Sequence, residues 1–173
     1  MNSLLCNARD ITTQEWEALR ALYVQAFVAM STNVNACDLA LMGNNPENFW
    51  AGVFDRDKPR SKEKNYTFSL SKDGENIAAY ALYTYVSDAH YLYVHHLVVH
   101  PDYQGRGLGK QLMSTLQKLH EDAQKAGLLT RTYNVPAQNF YKRLGFSASL
   151  DVPAAIQEYY SSDRVYMERN VSQ

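Results

Sequence analysis

The sequence predicts a mixed α/β (α+β) chain in which helices come first and a mostly antiparallel sheet follows, with two further helices inserted into it. Three observations carry this. Apolar residues recur at helical spacing from Trp16 to Met30, strand-like aromatic and β-branched runs fill the middle, and a periodic helical stretch opens directly from a glycine-rich turn at Gly105–Gly109. A length of 173 residues suits one domain, spanning 1–173, with a substantial core. The formal net charge of −1 argues against a nucleic-acid partner bound through bulk charge.

Each element has a local reason. Thr12 and Glu15 form a capping box, Ile11 and Trp16 can staple it, and Trp16, Leu19, Leu22, Tyr23, Ala26, Phe27 and Met30 share one face. The segment "STNVNACD" breaks this helix, and a second, less regular helical region follows, interrupted by "GNNP". The run "DRDKPRSKEKN" reads as a solvated, proline-containing connector. "YTFSL" and "IAAYALYTYV" are strands on either side of an Asp73-Gly74 hairpin turn. "AHYLYVHHLVVH" is a third strand, ended by Pro101 and Asp102. A helix over 107–126 follows, with Gly127 expected to stop it. "LLTRTYNV" reads as a strand, and "PAQNFYKRLGF" as a short helix with Pro136 in its first turn and Gly145 past its end. Strand-like pieces around Ser147–Val152 and Arg164–Val171 complete the chain.

Cys6 and Cys37 are the only cysteines, too few for a disulfide framework. The N-terminal stretch lacks a basic n-region and a long apolar core, and no apolar run approaches the ~20 residues of a membrane span. The expectation is a cytoplasmic protein with no membrane partner.

The stretch "HPDYQGRGLGKQLM" carries the chemistry. It packs three glycines and two basic residues into Gly105–Lys110 and then becomes helical. Bare backbone at a helix mouth presents unpaired N–H groups and a positive dipole end, which suits a phosphate. A Walker-type loop is excluded twice: Gln111 follows Gly109-Lys110, and Gln104 stands where the first glycine is required. A dinucleotide fingerprint fails once, because the last glycine arrives one residue early.

"LVVHPDYQGRGLG" instead resembles the acyl-CoA signature of the GNAT superfamily of N-acetyltransferases, with Gln104, Gly107 and Gly109 at its fixed positions. "NVPAQNFYKRLGF" is similar to that superfamily's second signature, matched at Asn134, Ala137, Phe140, Tyr141, Gly145 and Phe146. The resemblance covers roughly residues 65–170 well and the first helices only in outline. It implies a GNAT fold whose sheet splays at the cofactor site and is flanked by helices.

It also implies acetyl-CoA as co-substrate, no metal, and direct transfer of the acetyl group to a primary amine in a ternary complex. The acceptor is a small amine or a peptide or protein amine. A non-catalytic acyl-CoA-binding module is the alternative, and the oligomeric state is monomer or homodimer. Backbone N–H groups from Gly105 through Arg106, Gly107, Leu108, Gly109 and Lys110 would face the pyrophosphate. Leu97, Val98 and Val99 would run beside the pantetheine arm, with a backbone N–H near Val98 serving the oxyanion.

Arg106 and Lys110 either add charge to the phosphate site or are solvated helix-start cations. Asn134 either contacts the cofactor or is a turn residue. Tyr141 stands at the position of the acid that protonates the leaving thiolate, unless it is core packing. His95 is the candidate base, with His96, His100 and a water chain left open; alternation puts His95 and His96 on opposite faces. The acceptor would be met by the region around Ser31–Trp50, which carries Asp38 and Glu47, and by residues such as Tyr83, Tyr85 and Tyr159.

Overall fold

The structure, a computed structural model, describes residues 2–31, 40 and 42–171. Seven strands form one sheet in the order β1-β2-β3-β4-β5-β7-β6. Their ranges are β1 Asn2–Asn7, β2 Thr67–Asp73, β3 Asn76–Val86, β4 Tyr91–Val99, β5 Lys125–Arg131, β6 Ser147–Ala148 and β7 Arg164–Asn170. β1 and β2, β5 and β7, and β6 and β7 pair antiparallel, whereas β4 and β5 run parallel. The described helices are α1 Thr13–Ser31, α2 Pro46–Glu63, α3 Leu108–Leu119 and α4 Val135–Arg143, with 3-10 turns at Ser87–Ala89, Pro101–Tyr103 and Ala154–Tyr159. The expected α/β (α+β) class with a mostly antiparallel sheet holds. None of the helices is long and apolar enough to cross a membrane among the described residues.

By its contacts the chain resolves into two compact units, Met1–Leu82 with His96–Leu112, and Tyr83–His95 with Met113–Gln173. In the first, the capping box forms as the sequence predicts. Glu15 Oε2 accepts from the Thr12 amide at 3.1 Å, and the Glu15 amide donates to Thr12 Oγ1 at 3.2 Å. Trp16 meets Phe54 and Phe68 edge to face at 5.9 and 5.4 Å, and Tyr23 packs on Phe54 and edge-on to Trp50. This aromatic layer is the core of the unit.

The expected connector over "DRDKPRSKEKN" is a correction: most of it is the second half of α2, and Pro59 lies inside the helix. Proline removes one helical bond, but the segment has compensating contacts. Asp55 holds Arg20 of α1 through two bonds of 2.8 and 2.9 Å, and the Lys58 and Lys62 ammonium groups lie over the Trp16 ring. Ser61 is fully buried, its hydroxyl donating to the Lys58 carbonyl at 2.7 Å. A face that reads as solvated therefore covers an aromatic core with its alkyl stems.

β1 is a second correction, since the sequence reading placed no strand before α1. It lies at the sheet edge, with Leu4 and Leu5 exposed, and carries the half-buried Cys6. Burial, followed by the nearby Glu15 carboxylate, pushes the Cys6 thiol pKa up to about 11. The Cys37 and Asp38 positions lie outside the described residues.

In the second unit Tyr91, Tyr93, Ile156 and Tyr166 form the core, with Val86, Leu129, Val152 and Tyr159 packed against it. Here the helix expected over 107–126 ends earlier, at Leu119. Ala126 and Gly127 belong to β5, so Gly127 is not a helix stop. It is there for space. A Cβ on Gly127 would lie 2.7 Å from the Tyr166 hydroxyl and closer still to that of Tyr91. β5 correspondingly starts at Lys125 and ends at Arg131, and the strand expected over Ser147–Val152 shrinks to Ser147–Ala148.

Candidate active site

The site begins with the end of β4. Its parallel ladder with β5 runs from Tyr91↔Lys125 to Val94↔Leu128 and stops there. β4 goes on to Val99, while β5 continues to Arg131 with β7 as its partner. The stretch His95–Val99 thus lies beyond the parallel ladder, and within it are Leu97–Val99, the residues the resemblance sets beside a pantetheine arm. Val98 is buried, and the Gln104 carboxamide donates to the Val99 carbonyl at 3.3 Å, tying the turn back to the strand end.

The turn itself has left-handed backbone at Gly105 (φ 74°) and Gly107 (φ 82°), and nothing stands within 4 Å of where a Cβ would be at either. Only glycine takes that conformation freely and leaves the approach bare. α3 starts at Leu108, and its Gln111 amide donates to the Gly107 carbonyl at 2.9 Å. The amides of Gly107, Leu108, Gly109 and Lys110 are therefore the donors that the helix does not itself satisfy. Leu108 is buried and anchors the helix start, whereas Lys110 is exposed. Arg106 is also exposed, with its guanidinium 5.0 Å from the centre of the Tyr103 ring.

The three histidines differ. His96 is nearly buried, with 9% of its side chain exposed; Nε2 lies 3.2 Å from Asp57 Oδ2 of α2, and Nδ1 lies 3.5 Å from the Tyr80 hydroxyl. His100 Nδ1 accepts from the Asp102 amide at 3.2 Å and caps the Pro101–Tyr103 turn. His95 Nε2 meets Thr84 Oγ1 at 2.7 Å, and its ring stands edge-on to Tyr93 at 4.6 Å and to Tyr159 at 5.8 Å. Regular alternation sets Tyr80 and Thr84 on one face of β3, yet their partners His96 and His95 are adjacent on β4.

In the second unit Asn134 is the N-cap of α4, its side-chain oxygen accepting from the Ala137 amide at 3.2 Å. Tyr141 is buried on the same helix, edge-on to Phe140 at 5.2 Å and to Phe146 at 5.8 Å. Burial raises its pKa well above the usual phenol range, so it is a protonated donor at any physiological pH. Tyr83 and Tyr85, expected near the acceptor, pack on His120, Tyr85 stacking on it at 4.3 Å and hydrogen-bonding Asp122. Trp50 is core, its indole N–H donating to Ser31 Oγ at 2.8 Å.

Sequence reasoning missed Thr84, Asp57 and Tyr103 as partners of site residues. Asp57 lay in the supposed connector, and strand alternation alone does not say which cross-strand neighbour a histidine meets.

Comparison with known proteins gives the family and the fold. The model of the acetyltransferase (GNAT) family matches residues 16–146. The chain is 35% identical over 88 residues to the UPF0157 protein YqkA of Bacillus subtilis, across 51% of this chain and 26% of that protein. It is 44% identical over 57 residues to the uncharacterized N-acetyltransferase ycf52 of Gracilaria tenuistipitata var. liui, across 32% of this chain and 30% of that protein. The matches thus span only about a quarter to a third of the length of these curated relatives. Among solved structures, the PaiA N-acetyltransferase of Thermoplasma acidophilum in complex with coenzyme A shares the fold, with a TM-score of 0.68 at 14% identity over 99% of this chain and 100% of that one. With a family match running from the first helix through both signatures, and the strand, turn and helix in the order those signatures require, the chain belongs to the GNAT acetyltransferase family.

Proposed function

We propose that the chain is a single-domain N-acetyltransferase that moves an acetyl group from acetyl-CoA to a primary amine by direct attack in a ternary complex. The observation that carries this reading is the backbone path: β4 leaves its ladder with β5 and runs into a left-handed glycine turn at the mouth of α3. Such a path offers strand-edge amides to a pantetheine arm and helix-start amides to a pyrophosphate. Leu97–Val99 serve the first role, and Gly105–Lys110 the second.

In this reading the reaction needs a base, an oxyanion donor and an acid. An alkylamine has a pKa of about 10.4, so it arrives mostly protonated at neutral pH. His95 removes that proton. His96 is less suited because it is nearly buried beside Asp57, and His100 is engaged as a cap. The freed lone pair attacks the thioester carbon, the C–N bond forms, and the carbonyl electrons move onto oxygen, which the backbone N–H of Val98 stabilises. Collapse of that oxyanion breaks the C–S bond, the sulfur receives a hydrogen bond or proton from the Tyr141 hydroxyl, and the second proton, lost from the attacking nitrogen, passes through water to restore the phenol or the thiol. Neither cysteine belongs to a matched motif, which disfavours an acyl-cysteine intermediate.

The test is thiol release from acetyl-CoA against a panel of small amines and peptides. An amine that releases thiol in stoichiometry with its own acetylation supports the reading. Binding of acetyl-CoA without turnover on any amine, in a folded protein, would favour the non-catalytic module. With a substrate in hand, His95→Ala should lose turnover near pH 7 and recover as pH approaches the amine pKa. An unaltered pH–rate profile would assign the base elsewhere.

A further inference from the structure

The approach to the glycine turn is braced by side chains that neither signature fixes. Tyr103, the last residue of the Pro101–Tyr103 turn, donates its hydroxyl to Asp73 Oδ2 of β2 at 2.8 Å. That bond, with burial adding to it, raises the phenol pKa and keeps it a donor. His100 stands edge-on to the Tyr103 ring at 5.8 Å. On the ring lies the Arg106 guanidinium, 5.0 Å from its centre. A phenol that donates to a carboxylate carries extra electron density in its ring, which favours a cation above it.

Arg106 needs such a brace. It sits between Gly105 and Gly107, both in left-handed backbone, with open space around each glycine. A long side chain there has many conformations to lose when a ligand binds. A side chain already ordered loses fewer, and the binding energy is correspondingly better used.

We propose that Tyr103, anchored by Asp73, is a positioning residue for the phosphate-bearing end of the acyl donor, acting by holding Arg106 beside the glycine turn. This rests on the reading of that turn as the pyrophosphate site. It gives Arg106 a role in cofactor binding, where the sequence left a solvated cation equally open.

The experiment is calorimetric titration of the full chain with coenzyme A, with pantetheine measured by competition. Tyr103→Leu should weaken coenzyme A roughly 2- to 5-fold, the scale of an exposed cation–π contact, and leave pantetheine unchanged. Tyr103→Phe keeps the ring and should lose less. In an Arg106→Ala background, Tyr103→Leu should cost nothing further. Undiminished coenzyme A affinity in Tyr103→Leu overturns the proposal. So does an equal loss for pantetheine, or a loss that persists without Arg106, since either makes Tyr103 a support of the fold alone. Gly107→Asp separates the premises. A folded Gly107→Asp chain that binds coenzyme A as before removes the pyrophosphate site itself and the inference with it. If that variant fails to bind while Tyr103→Leu binds normally, the turn stands and only the brace falls.

Discussion

Tyr141 is a packing residue to which the proposed chemistry would add a second role. Its ring fills the space between Phe140 and Phe146, and burial holds its proton tightly. A phenol so far above a thiol's pKa of about 8.5 will not surrender its proton to a solvated thiolate. It can stabilise one that is itself desolvated, by a hydrogen bond that strengthens as the C–S bond breaks. Tyr141→Phe should therefore keep stability and acetyl-CoA affinity and lower single-turnover acetyl transfer, by up to the ~10²–10⁴ typical of a lost general acid. Equal rates would reduce Tyr141 to packing. Gly127 is the opposite case, a residue with purely steric meaning. Gly127→Ala forces the Tyr91 and Tyr166 hydroxyls, 3.1 Å apart in the core, to move. It should destabilise by about 1–3 kcal/mol, read from the denaturant midpoint. No local rule distinguishes such a glycine from a helix stop, because the tyrosines that demand it are distant in sequence.

Among the elements, those whose signals are local were legible and those that depend on distant partners were not. The capping box of α1, the Asp73-Gly74 turn and the strand–turn–helix around Gly105–Gly109 all formed where their own residues put them. The second half of α2 did not announce itself, because Asp55, Lys58 and Lys62 look solvated until Arg20 and Trp16 are beside them. β1 depends wholly on β2 for its bonds, and six residues with little alternation carry no strand signal alone. In the candidate site, the glycine turn followed from motif spacing, whereas the separate contacts of His95 and His96 depend on Thr84, Asp57 and Tyr80. The turn also makes the clearest element-scale prediction. Gly107→Asp places a carboxylate and a disfavoured left-handed side chain at the proposed anion-binding mouth of α3. Acetyl-CoA binding should be lost in a chain whose circular dichroism is unchanged, and unchanged affinity would overturn the assignment.

For the molecule as a whole, stability should form a plateau around neutral pH with two distinct limits. The Thr12 amide beside Glu15, the Arg20 guanidinium beside Asp55 and the Tyr85 hydroxyl beside Asp122 each hold a carboxyl below its ordinary value. Groups so lowered stabilise the fold above their unfolded pKa of about 4 and cease to do so as pH falls through the folded value. Exposure and salt make that acid limit shallow. At the other end, burial raises Cys6 to about 11 and Tyr91 to about 12. Their contribution is complete below the unfolded values, about 8.5 and 10, and disappears as pH climbs toward the folded ones. Melting temperatures from pH 3 to 11 should trace this shape, and a steady rise above pH 9 would contradict it. The two compact units add a consequence for inheritance and for molecular cloning. The chain passes between them within β3, within β4 and within α3, never in a linker. No single cut in the gene yields either unit whole. Neither unit is encoded by one contiguous stretch, and a fragment ending at Leu82 should fail to fold because the strand that completes its part of the sheet is encoded downstream.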